Sequence, residues 1–190
     1  MNATNPLLLS ERSFPDKDLL TGLSRFQRIL MVTDGTVTEL LEQYLSEKIK
    51  VSKLSEKIES NFEKLIPSHK AHLTFGSLPV LSRSILLEGQ TTKQNWIYAE
   101  SSILLDNLNL GFRSDLLASR EPIGRLWEKY QYETFKTILD FEKREAGELA
   151  EHFAVPASSV LISRTYEVSS NKKPIMVITE IFPESFFGDE

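Results

Sequence analysis

The sequence predicts an α+β domain built on a single antiparallel sheet of about six strands, with helices packed against it. Three observations carry this. The segments "PVLSRSILLEG" and "NWIYAESSILL" alternate in strand fashion and are joined by the polar turn "GQTTKQ", a hairpin signal. The end of the chain, "SVLISRTYEVSSNKKPIMVITEIFP", reads as two more strands around "SSNKK". Finally, the regular strand–helix–strand alternation of a parallel sheet is missing.

Residues 1–24 are predicted as an N-terminal arm and 25–190 as the domain. After an apolar start and a turn at Asp34-Gly35, Val37, Leu40, Leu41, Tyr44 and Leu45 follow the spacing of one helical face. Thr36 with Glu39 three residues on reads as a capping box, and the helix is expected to end near Lys48. A strand follows over 49–54, then an irregular or partly helical stretch over 55–78, then the first hairpin. "NLNLGFRSDLLASREPIGRLWEKYQ" predicts two short helices, with Pro122 in the first turn of the second, where its missing N–H is harmless. "YETFKTILDFE" alternates, with Phe135, Thr137, Leu139 and Phe141 on one side, and a short acidic helix over 142–152 precedes the last two strands.

Composition narrows the function. With 41% hydrophobic and 26% charged residues the chain can bury a sizeable core. A net charge of -5 is a poor match for the basic footprint that nucleic acid requires. Without cysteine there is no disulfide, thiol nucleophile or thiolate-bound metal. The apolar runs fall far short of the roughly 20 residues of a membrane span. His69 and His72 have no carboxylates arranged around them and His152 stands alone, so no metal site is predicted. No phosphate-binding glycine loop occurs.

Charges inside strands are the informative feature. In the first hairpin Leu81, Arg83, Ile85 and Leu87 share a face, which puts a guanidinium on the apolar side. In the last strand Met176, Ile178, Glu180 and Phe182 share a face, so Glu180 also lies among apolar neighbours. A buried charge needs a partner, so Arg83 meets either a structural carboxylate or an anionic ligand. Glu180 either pairs with a cation, Arg83 included, or has its ionisation shifted by burial, or lies at a solvated strand end. Glu100, alternating with Trp96 and Tyr98, reads as a rim position. Arg164, alternating with Ile162 and Tyr166, is a second cation or a surface residue.

Five segments in order, "DGTVTELLEQ", "LSRSILLEG", "WIYAES", "PIGRLW" and "KPIMVITEIFP", resemble the chorismate lyases (chorismate pyruvate-lyase, 4-hydroxybenzoate synthase). The similarity is to the branch typical of photosynthetic microbes and algal plastids, and it spans residues 26–187. It implies a chorismate lyase-like fold in which helical flaps near 37–45 and 107–125 cover a buried ligand pocket. It also implies conversion of chorismate to 4-hydroxybenzoate and pyruvate for quinone biosynthesis, without metal or cofactor and with tight product inhibition. Arg83 would grip the ring carboxylate, Glu180 would face the ring hydroxyl, Ile123 would line the pocket through its backbone, and Val37 would belong to a flap. Where better-known bacterial lyases carry arginine in a "GRT" segment, this chain has Glu100 in "AES", an acid where the pyruvyl end of the substrate would pass. The expected partner is the small molecule chorismate, with no nucleic acid and no membrane span, in a cytoplasmic monomer. The alternative is a non-catalytic sensor domain of the same fold that binds an aromatic carboxylate; the lack of a predicted helix-turn-helix region argues against a regulator.

Overall fold

The structure, a computed structural model, describes residues 20–59, 79–118 and 121–188. His69, His72 and most of the predicted arm lie outside these residues. The elements in order are α1 (Arg25–Val32), α2 (Val37–Leu45), β1 (Ile49–Glu59), β2 (Val80–Gly89), β3 (Asn95–Leu104), α3 (Leu110–Ala118), α4 (Ile123–Lys129), β4 (Phe135–Glu145), α5 (Ala150–Phe153), β5 (Val160–Ser170) and β6 (Lys173–Pro183). The strands form one six-stranded sheet in the order β1-β2-β3-β6-β5-β4, antiparallel at every pairing. The expected architecture is the observed one. The β5–β6 turn contains Asn171 and Lys172, both at positive φ (50° and 62°), which suits the right-handed twist of a tight hairpin.

The helices depart from expectation at their ends. Thr36 is the N-cap of α2 but makes no side-chain capping bond, so the predicted capping box does not form. The capping box belongs instead to α1, where Ser24 and Gln27 cap each other reciprocally. Gln27 Nε2 also donates to the carbonyls of Glu184 and Phe186, each at 2.6 Å, which ties α1 to the chain just beyond β6. Helix α2 stops at Leu45, because Ser46 adopts the left-handed conformation at φ 54°. Strand β1 runs on to Glu59, into the stretch predicted as irregular, past a register shift between Lys53 and Ser55. As an edge strand it carries exposed charged residues there, so its sequence reads as non-strand. The predicted acidic helix begins later than expected: 142–145 are the end of β4, and helical structure starts with a 3-10 turn over Gly147–Leu149 that leads into the single turn of α5.

Apolar packing places the site. One cluster gathers Leu30, Met31, Val37 and Leu41 of α1–α2 on Ile85, Leu87, Ala99 and Phe182 of the sheet. A second gathers Phe112, Leu116, Leu126 and Trp127 of α3–α4 on Leu81, Tyr166, Met176 and Ile178. A smaller third cluster packs Phe153 of α5 with Leu86, Tyr98 and Ile181, residues that alternate with those of the first two. The helix pairs thus cover one face of the sheet from two ends, and a cleft is left between them. No helix among the described residues is long and apolar enough to cross a membrane.

Candidate active site

Directly opposed residues on antiparallel strands project to the same face, so the register lays out the cleft floor in rows. Arg83, Ser101, Ile178 and Tyr166 form one row across β2, β3, β6 and β5. Ile85, Ala99, Glu180 and Arg164 form the next. Arg83 and Glu180 are therefore two strands apart and one row apart on the same face of the sheet.

The cleft holds about 550 Å³ of empty space, the open solvent at its mouth included. Its walls include Val37, Arg83, Ile123 and Glu180, the four residues to which the resemblance gives a place in the pocket. The flap contribution is narrower than expected: it comes from Thr36–Thr38 at the start of α2 and from Pro122–Gly124 and Trp127 of α4, while α3 packs behind. The two flaps touch closely, since a Cβ on Gly124 would collide with the side chain of Thr36. An ion pair from Arg125 to Glu42 (2.6 Å) joins α4 to α2 beside this contact.

Arg83 is 4% exposed, and its Nε is buried without any acceptor. Among the described residues it makes no ion pair. Burial pushes its guanidinium below the ordinary range, opposed only by the charge of Glu56. Arg83 and Glu180 therefore do not neutralise each other. Glu180, 8% exposed and not at a frayed end, takes its cation from β5: Arg164 Nε donates to its Oε2 at 2.8 Å. The Tyr166 hydroxyl donates to Oε1 at 3.0 Å. Burial, then the Glu180 charge, raises the Tyr166 phenol well above its ordinary value.

Arg164 is not a surface residue. It is 1% exposed, donates through Nη1 to the Thr33 carbonyl between α1 and α2 (2.7 Å), and lies 5.0 Å from the Tyr166 ring centre. It pins both Glu180 and the start of the α2 flap. Its Nη2 is buried without an acceptor.

Two wall residues escaped the sequence reading. Lys136 of β4 places Nζ 5.2 Å from the Trp127 ring centre and 5.4 Å from that of Tyr166, and donates to the Gly35 carbonyl at 2.7 Å. Trp127 lines the same wall, with Nε1 buried and unpartnered. Lys136 was hidden because it alternates with the more apolar side of Phe135, Thr137, Leu139 and Phe141, whereas in the structure Phe135 is 59% exposed. A register shift between Ile138 and Asp140 changes the inward phase along β4. Glu100 is exposed on the opposite face of β3 from Ala99 and Ser101, where it accepts a 2.8 Å bond from Tyr98. It brings no negative charge into the cleft, which corrects the expectation drawn from its place in "AES". No group of three or more His, Asp or Glu among the described residues could hold a metal.

A family model described as "Chorismate pyruvate-lyase Rv2949c-like" matches residues 31–187. This chain belongs to that family. The chorismate pyruvate-lyase of Mycobacterium tuberculosis is 30% identical to this Rv2949c-like chain over 168 residues, covering 88% of this chain and 84% of the relative. The chorismate pyruvate-lyase of Mycobacterium leprae is 29% identical over 174 residues, covering 91% and 81%. Among solved structures, the effector domain of PhnF from Mycobacterium smegmatis superposes with a TM-score of 0.57 at 12% identity, over 80% of this chain and 90% of that one. Whole PhnF is spanned for only 65% of its length. The C-terminal domain of the histidine utilization repressor from Pseudomonas syringae gives 0.52 at 10% identity, over 75% of this chain and 96% of that one. At such identities the likeness is one of fold.

Proposed function

We propose that this protein is a chorismate pyruvate-lyase that converts chorismate to 4-hydroxybenzoate and pyruvate. The observation that carries the reading is the buried Arg83 guanidinium, which makes no ion pair among the described residues and lines a cleft whose next row holds Glu180. A site built this way is incomplete until a carboxylate enters it, and a guanidinium fork receives one in a fixed orientation. With the ring carboxylate on Arg83, carbon 4 of the ring comes to Glu180.

The reaction balances without a co-reactant. Carbon 4 loses its hydrogen as a proton, the released pair forms the double bond between carbons 3 and 4, and the bond from carbon 3 to the ether oxygen breaks. The departing enolpyruvate gains the proton at its methylene carbon and becomes pyruvate, and the ring becomes aromatic. Glu180 faces the carbon-4 hydroxyl and accepts the carbon-4 proton, a step worth about 10²–10⁴-fold when a side chain is positioned for it. Arg164 and Tyr166 aim the carboxylate. The Thr36–Gly124 contact closes the cleft over the ring, so product leaves only when α2 and α4 part, and release limits turnover.

The test is to incubate the purified protein with chorismate and quantify pyruvate and 4-hydroxybenzoate together. Equimolar formation of both supports the lyase. A folded protein that binds 4-hydroxybenzoate yet releases no pyruvate would be a sensor of aromatic carboxylates instead.

A further inference from the structure

We propose that Lys136 of β4 and the indole N–H of Trp127 form a subsite for the second carboxylate of a dianionic ligand, which for chorismate is the carboxylate of the enolpyruvyl arm. This rests on the chorismate reading of the cleft. Arg83 answers one carboxylate only, and Arg164 is spent on Glu180. The position at which related lyases were expected to place another cation holds Glu100, which points away from the cleft. Among the described residues that line the cleft, Lys136 is the remaining cation.

Its place in the sheet matches the shape of the ligand. Across the strand order, Arg83 stands on β2, Glu180 on β6, Arg164 and Tyr166 on β5, and Lys136 on β4. Lys136 opposes Val168, two residues along β5 from Tyr166 on the same face. In chorismate the ring carboxylate is para to carbon 4, and the enolpyruvyl ether leaves from carbon 3, next to carbon 4. A ring held at Arg83 with carbon 4 at Glu180 sends the ether off to one side of the ring axis with a component toward β5 and β4, and the enolpyruvyl arm carries its carboxylate further out.

The two groups are also short of partners. Among the described residues Lys136 makes no ion pair, and its only hydrogen bond is to the neutral Gly35 carbonyl. Trp127 Nε1 is a buried donor with no acceptor, an arrangement that costs stability unless a ligand supplies one. The groups facing Lys136 are Glu180, Arg164, Tyr166 and Asp34, and burial is the chief reason that its ammonium titrates at about 8. The cation is thus present below that pH and lost above it, until an anion holds the proton on.

The experiment compares Lys136→Gln and Lys136→Arg with the wild type against two ligands: chorismate, with two carboxylates, and 4-hydroxybenzoate, with one. Lys136→Gln should raise the KM for chorismate roughly 10- to 100-fold, the loss expected for one charge-assisted contact. The Kd for 4-hydroxybenzoate should stay within about two-fold, which also reports that the variant is folded. Lys136→Arg should restore most of the chorismate affinity and move the alkaline fall of kcat/KM, near pH 8 in the wild type, to higher pH. Equal loss for both ligands, or none for chorismate, overturns the subsite. If the wild type proves unable to turn chorismate over, calorimetric Kd values replace KM: Lys136-dependent chorismate binding would then keep the subsite while the lyase reading falls. Binding of neither ligand would remove both.

Discussion

The two buried arginines of the cleft should respond oppositely to the same substitution. Arg164→Met removes the ion-pair partner of Glu180 and leaves a carboxylate, 8% exposed, with the Tyr166 hydroxyl as its hydrogen-bond donor and the more distant charge of Lys136. Breaking a buried pair in this way costs about 3–5 kcal/mol. For a domain of this size each kcal/mol shifts Tm by roughly 2–4 °C, so Tm should fall by roughly 6–20 °C. Arg83→Met removes a guanidinium that pairs with no carboxylate among the described residues, and the thioether occupies much of its volume. Replacing buried charge by apolar packing is neutral or stabilising, by about 1–4 kcal/mol at most. Its Tm should hold or rise, while the Tm increase that 4-hydroxybenzoate gives the wild type should vanish. Thermal unfolding followed by far-UV circular dichroism, with and without 4-hydroxybenzoate, measures all of this. If Arg83→Met destabilises as much as Arg164→Met, Arg83 is a structural cation and the anion-grip argument is wrong.

Three further expectations follow from the same geometry. Glu180→Gln should lower kcat by about 10²–10⁴-fold with a much smaller change in 4-hydroxybenzoate affinity, measured by steady-state kinetics and calorimetry; parallel losses in both would make Glu180 a binding group alone. Gly124→Ala should force α4 off Thr36 and weaken product inhibition by on the order of ten-fold, read as the Ki of 4-hydroxybenzoate, because an opened flap no longer holds product. Burial opposes ionisation of Glu42, but bonds from Lys48 and Ile49 and the charge of Arg125 outweigh it and hold the carboxyl below its ordinary 4.5. Its contribution to stability is therefore present above that value and lost as pH falls below it. A plot of Tm against pH should be flatter for Glu42→Gln than for the wild type in the acid range, with a lower Tm near neutrality.

The sheet was legible because its central strands alternate cleanly: β2, β3 and β6 carry apolar residues on the cleft face in phase, so Arg83 and Glu180 stood out as intruders. Pairing was not legible. Which cation meets Glu180 depends on strand order, and β6 sits between β3 and β5, so Arg164 lies directly opposite while Arg83 lies two strands away. Lys136 was lost to a local effect, the register shift in β4 together with an exposed Phe135 that mimics an inward residue. Trp127 belonged only to a predicted short helix, and packing is what puts its indole at the cleft wall. The capping box was misplaced for a related reason. Thr36–Glu39 and Ser24–Gln27 have the same spacing, and docking of α1 beyond β6 selects the second.

The most direct test of the central claim is the crystal structure of the protein with 4-hydroxybenzoate. The account predicts the carboxylate on the Arg83 guanidinium, the hydroxyl at Glu180, and space left open in front of Lys136. A carboxylate bound at Lys136 with Arg83 still unpaired, or a ligand outside the cleft, would contradict it.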